Sequence, residues 1–143
     1  MYNGRKGFFK PKNPHKYDGD PTNIIYRSWL EFRFMRKLDK DLNVIKWSSE
    51  ELNITYRSYD NSIHRYFPDF IVTKLNSKNI KETFMIEIKP EVFTKPPKAT
   101  KGMNKRFINE VKQYGVNTHK WKAAEAFCES RGWKFLIITE KDV

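Results

Sequence analysis

The sequence predicts an α/β fold: one domain with a mixed central β-sheet flanked by helices, in the order helix, strands, helix, strand. Three observations predict it. An apolar stripe at helical spacing runs from Ile24 to Leu42, short β-branched and aromatic runs follow as far as Lys89, and a second helical stretch leads into the apolar run Trp133 to Thr139. With 143 residues, 38% hydrophobic and 15% aromatic, the chain suffices for one domain and a real core.

The first 22 residues carry five Lys or Arg, three Pro and three Gly without apolar periodicity, so residues 1–22 read as a basic N-terminal arm and 23–143 as the domain. Ile24, Ser28, Glu31, Met35, Leu38 and Leu42 are spaced 4, 3, 4, 3 and 4 apart, one continuous helical stripe. Val44–Trp47 and Ile54–Tyr59 are strand candidates. Tyr66–Thr73 (YFPDFIVT) and Phe84–Lys89 (FMIEIK) follow, separated by a polar hairpin loop and expected to pair antiparallel. Pro90 to Arg106 holds three prolines, one glycine and five basic residues and reads as an irregular basic loop. Phe107–Tyr114 predicts a short helix ending at Gly115. Thr118–Arg131 predicts a second, capped by Asn117, stopped by Gly132, with Trp121, Ala124 and Cys128 inward.

Lys plus Arg number 28 and Asp plus Glu 17, a net charge of +11, which suggests a polyanionic partner, most simply nucleic acid. No run approaches the roughly 20 apolar residues of a membrane span, and Met1–Lys12 lacks the apolar stretch of a signal peptide. The single cysteine, Cys128, and three scattered histidines cannot assemble a Cys or Cys/His zinc site, so any metal must be held by oxygen. His64, at a strand entrance, reads as structural.

Strand alternation places Met85, Glu87 and Lys89 on one face, and Phe67, Asp69 and Ile71 on one face of the preceding strand. Asp69 and Glu87 then converge with Lys89 one repeat beyond. Charge amid apolar neighbours costs several kcal/mol unless it is paired or metal-bound. Glu31, in the middle of the inward helical stripe, is placed to reach the same point; the ordinary alternative is a salt bridge with Lys89 or Arg27, and for Asp69 one with Arg65. Three acids and a lysine suit a hard divalent cation, Mg²⁺ with Mn²⁺ as substitute, held by Asp69, Glu87, the Ile88 backbone carbonyl and Glu31, the last as supporting or second-metal ligand. Lys89 would position or deprotonate the attacking water. That is the chemistry of phosphodiester hydrolysis. Lys95, Lys98, Lys101, Lys105 and Arg106 in the loop, Lys120 on the second helix, and the arm's Arg5, Lys6, Lys10 and Lys12 are candidate phosphate contacts.

Pro68-Asp69, then Glu87-Ile88-Lys89 on the next strand, with the helical Glu31 upstream, resembles the PD-(D/E)XK nuclease superfamily, whose core runs helix, three strands, helix, strand. More narrowly, Lys16–Glu31, His64–Val72, Phe84–Pro90 and Trp121–Glu140 are similar to segments of the head completion nucleases of T-even-type tailed phages, and a related domain occurs in the endonuclease subunit of heteromeric cut-and-paste transposases. The resemblance implies a restriction-endonuclease-like fold with Glu31, Asp69, Glu87 and Lys89 catalytic. It further implies Mg²⁺-dependent cutting of double-stranded DNA, as an endonuclease with room for exonuclease action beside it; the basic excess and the lack of a recognisable base-reading motif predict weak sequence preference. The setting would be phage head completion before head–tail joining, with head, portal or neck proteins as partners, in the host cytoplasm and retained in the virion. The rivals are a non-catalytic head–tail adaptor with an inherited fold and a transposon-type endonuclease subunit.

Overall fold

Ser28 decides where the first helix begins. In the computed structural model, which describes residues 6–98 and 104–143, its backbone is extended and its hydroxyl accepts the Glu31 N–H at 3.1 Å, so helix α1 spans Trp29–Lys40. The helix is therefore shorter than the apolar stripe. Ile24 is buried ahead of it, Leu42 is 97% exposed beyond it, and Ile25–Tyr26 instead forms a short strand, β2, paired antiparallel with β1, Gly7–Phe8. The C-terminal end of α1 is closed by the arm. The buried Lys16 ammonium, from the last residue of a 3₁₀ turn at Pro14–Lys16, donates to the carbonyls of Leu38, Asp39 and Asp41 at 2.7, 3.0 and 2.8 Å. Burial holds the pKa of Lys16 below its ordinary value, against the pull of Asp39 and Asp41. The Asp39 carboxylate in turn accepts the N–H groups of Lys12 and Asn13. Phe9 and Tyr17 pack into the core against Trp47, so the described part of the arm lies on the fold.

The central sheet has four strands in the order β3 (Val44–Ser49), β6 (Phe70–Leu75), β7 (Lys81–Ile88) and β8 (Lys134–Ile138). The first two junctions are antiparallel, with Phe70 opposite Ile86 and Ile71 opposite Met85, as the sequence leads one to expect for these two strands; β8 joins β7 in parallel. Between β3 and β6 a separate hairpin is inserted, β4 (Ile54–Arg57) with β5 (Ile63–Tyr66). The run Tyr66–Thr73 is thus two strands, not one. Pro68 has no N–H to give to a ladder, and the chain leaves β5 at Tyr66 and enters β6 at Phe70.

The two predicted helices after the basic loop are one, α2, Lys105–Arg131. Asn104 caps it, accepting the Phe107 N–H at 2.8 Å, and Lys105 and Arg106 belong to its first turn, not to the loop. Asn117 is no cap but a buried mid-helix residue whose side-chain oxygen accepts from Gln113. Gly132 ends the helix with φ 72°. Gly115 lies in the interior, where a Cβ would meet nothing within 4 Å. Gly115→Ala is expected to raise stability by about 1 kcal/mol and the melting midpoint by about 3 °C, read by circular dichroism. The long helix survives this glycine because its apolar side, Trp121, Ala124 and Cys128, is buried against the sheet and hairpin.

Alternation along β6 and β7 sends Phe70, Val72, Ile86 and Ile88 to the α1 side, with Leu30, Met35, Leu38 and Trp47. Met85 faces the α2 side with Ile54, Tyr56, Tyr66, Ala124 and Cys128. Among the described residues no helix is long and apolar enough to cross a membrane.

Candidate active site

The start of β6 and the end of β7 are neighbours, and the polar side chains meet there. Asp69 stands one residue before β6. The Ile88 N–H at the end of β7 donates to its Oδ2 at 2.7 Å, so backbone pairing itself aims the carboxylate across the strand end. In an extended strand the N–H and C=O of one residue leave on the same edge, and the Ile88 carbonyl therefore faces the Asp69 side. Lys89, the next residue, turns its N–H the other way, to Ile138 of β8.

Glu87 is buried, at 8% exposure, with both carboxylate oxygens engaged. Oε1 accepts the Tyr66 hydroxyl at 2.6 Å, and Oε2 lies 3.7 Å from the Lys89 ammonium. Tyr66, at 4% exposure, keeps its proton: burial and then the adjacent Glu87 charge push its pKa far up. The Lys120 ammonium lies 5.7 Å from the centre of the Tyr66 ring, which brings Lys120 to the back of the site through an aromatic contact.

Glu31 comes from the first turn of α1, buried beside its cap, with its Oε2 3.4 Å from the Ser28 hydroxyl. Burial raises its pKa. The Arg27 backbone and the Ser28 hydroxyl act in the opposite direction. Of the alternative partners, Arg27 pairs with Glu50 at 3.1 Å, Lys89 lies against Glu87, and Arg65 is an exposed residue of β5. Asp69 feels the whole cluster. Its pKa is pushed well above the usual carboxylate range by burial first, then by the charges of Glu87 and Glu31, while the Ile88 N–H and Lys89 pull it back. Among the described residues no three His, Cys, Asp or Glu side chains form a group able to hold a metal ion, so Glu31 stands beside the Asp69–Glu87 pair without closing a cage.

Sequence reasoning placed Asp69, Glu87, Lys89 and Glu31 but missed Tyr66. The signal was its position two residues before Pro68: the break there swings Tyr66 out of the β6 alternation and onto the hairpin that packs over Glu87. Of the candidate phosphate contacts, Lys95, Lys98, Lys105 and Arg106 line a groove of about 1600 Å³ between α1, the segment after β7 and the first half of α2. Lys101 and Arg5 lie outside the described residues. His64 is exposed on β5, its ring nitrogen 2.8 Å from the Ser62 hydroxyl.

Residues 41–140 match the family model described as TnsA-like endonuclease N terminal. The stretch contains Asp69, Tyr66, Glu87 and Lys89. The chain is also 42% identical over 139 residues to the head completion nuclease of Enterobacteria phage T4, covering 94% of this chain and 90% of that protein. A match over most of the chain to an endonuclease family, on a mixed sheet that ends in these carboxylates, is decisive for descent: the chain belongs to the TnsA-like N-terminal endonuclease family, nucleases of restriction-endonuclease-like fold.

Proposed function

We propose that this chain is a Mg²⁺-dependent deoxyribonuclease of the PD-(D/E)XK type, hydrolysing the DNA backbone with weak sequence preference. The observation that carries the reading is the Asp69–Glu87 pair, two close carboxylates at a strand end with Lys89 beside them and too little positive charge to neutralise both. An acid pair in that state fits a hard cation. Asp69, Glu87 and the Ile88 carbonyl are the oxygen donors that would hold it, with Glu31 as a supporting or second-ion ligand. Bound there, Mg²⁺ supplies charge to the phosphate oxygens and acidifies water.

The residues themselves divide the remaining work. The Ile88 N–H fixes Asp69, and the Tyr66 hydroxyl fixes Glu87 through Oε1, with Oε2 on the side of Lys89. Lys89, already within 3.7 Å of Oε2, orients the attacking water and stabilises negative charge as it grows on the phosphorus oxygens. The basic side chains of the groove supply sequence-independent affinity for the backbone, so binding falls steeply with salt.

The near full-length relative named for head completion supports a role in finishing the phage head before the tail joins, with DNA and head, portal or neck proteins as partners in the host cytoplasm. Plasmid DNA incubated with the protein in Mg²⁺ or EDTA tests the chemistry. Nicking and linearisation are expected in Mg²⁺ alone, and Lys89→Ala is expected to slow cutting about a hundredfold or more at unchanged DNA affinity. Folded protein that binds DNA and never cuts would establish the adaptor reading instead.

Tyr66→Phe removes one hydroxyl and keeps the ring. It is expected to weaken Mg²⁺ activation or turnover about tenfold to a hundredfold, read as the half-saturating Mg²⁺ concentration and the maximal rate.

A further inference from the structure

We propose that the groove beside the carboxylates binds an unpaired strand of DNA, with bases against Phe93 and phosphates on Arg33, Lys98 and Lys105. The inference rests on the reading of the chain as a DNA nuclease and narrows its substrate to DNA with a single-stranded segment. Leu30 and Pro90 lie on the groove wall, and each is the chain neighbour of a site residue, Glu31 and Lys89. A strand lying in the groove therefore runs up to the cutting site.

Two properties of the wall select the ligand. The first is its charge. Five cations face two acids, and among the described residues Lys95 pairs with Glu91 and Arg106 with Glu110, while Arg33, Lys98 and Lys105 have no acidic partner. The second is its apolar surface. Val92 is 71% exposed and Phe93 46%, with Tyr114 and three prolines completing a wide carbon face between the cations. A duplex stacks its bases on one another and offers such a wall only phosphates, sugars and base edges, which leaves the carbon face unsatisfied. An unpaired strand offers both parts, a charged backbone and flat base faces that stack on aromatic side chains regardless of sequence.

The test is fluorescence anisotropy in EDTA, where no cutting occurs, with labelled oligothymidylate and with the duplex it forms with oligodeoxyadenylate. The single strand is expected to bind about tenfold tighter than the duplex, and Phe93→Ala to erase about that factor while leaving the salt slope unchanged. Lys98→Ala is expected to lower the slope for the single strand. A duplex that binds as tightly as the single strand, or a Phe93→Ala protein with wild-type affinity for oligothymidylate, overturns the proposal. Because binding is read without metal, its failure is distinguishable from that of the nuclease reading. A protein that cuts plasmid but shows no preference refutes only the groove assignment, and one that prefers single strands but never cuts in Mg²⁺ refutes only the chemistry.

Discussion

Asp69→Asn is expected to cost nearly all DNA cleavage and at the same time to make the metal-free protein harder to unfold. The two effects have one cause. Asp69 is a half-buried carboxylate whose burial and whose neighbours Glu87 and Glu31 all disfavour its charge, and the amide removes that charge while its oxygen still accepts the Ile88 N–H. Loss of one charged oxygen donor is expected to reduce cutting about a thousandfold, from several kcal/mol of lost charge stabilisation. Stability in EDTA at neutral pH is expected to rise by about 1–2 kcal/mol.

The sign with pH follows from linkage. Asp69 has a folded-state pKa above its ordinary 3.8, so the folded protein holds this proton more tightly than the unfolded chain and loses stability as pH rises from there through the folded value. Glu31 acts in the same sense. The gap between variant and wild type therefore opens with rising pH and closes in acid. Mg²⁺ is expected to raise the melting midpoint of the wild type and not that of Asp69→Asn. Thermal melts across acid to neutral pH in EDTA check this, and a variant gap that does not change with pH would remove the electrostatic account.

Lys16→Met is expected to be the most damaging single change away from the site. Methionine matches the length of the lysine stem, but three carbonyls at the end of α1 lose a charged donor in a buried setting. The expected loss is about 2–4 kcal/mol, or about 6–15 °C in the melting midpoint. Glu31 is in the opposite, first turn of the 12-residue helix, so cleavage below the melting transition is expected to stay at the wild-type rate. A midpoint unchanged within about 1 °C would mean that water replaces the ammonium without loss.

The site was legible because its acids interrupt apolar patterns. Asp69 at the entrance of β6 and Glu87 in β7 stand among largely apolar residues, and Glu31 sits on an inward helical stripe, so alternation and helical spacing alone put them on facing elements. Patterns of this kind are local, and local rules read them. The helix ends were less legible, because a cap is a competition: Ser28 begins α1 where hydrophobicity would begin it at Ile24, and Asn104 caps α2 where the sequence pattern pointed to Asn117. Gly115 ends no helix, since burying Trp121, Ala124 and Cys128 outweighs one glycine.

The sequence by itself determined the α/β class, the charge and the inward placement of Glu31, Asp69 and Glu87, with Lys89 beside Glu87. Only the tertiary structure decided that a hairpin intervenes between β3 and β6, that Tyr66 on this hairpin donates to Glu87, and that Lys16 from the arm closes α1. The physical reason is range. Periodicity records which face a residue occupies on its own element, whereas a hydrogen bond between residues 21 or 22 positions apart depends on how elements pack, and no spacing within either segment encodes it.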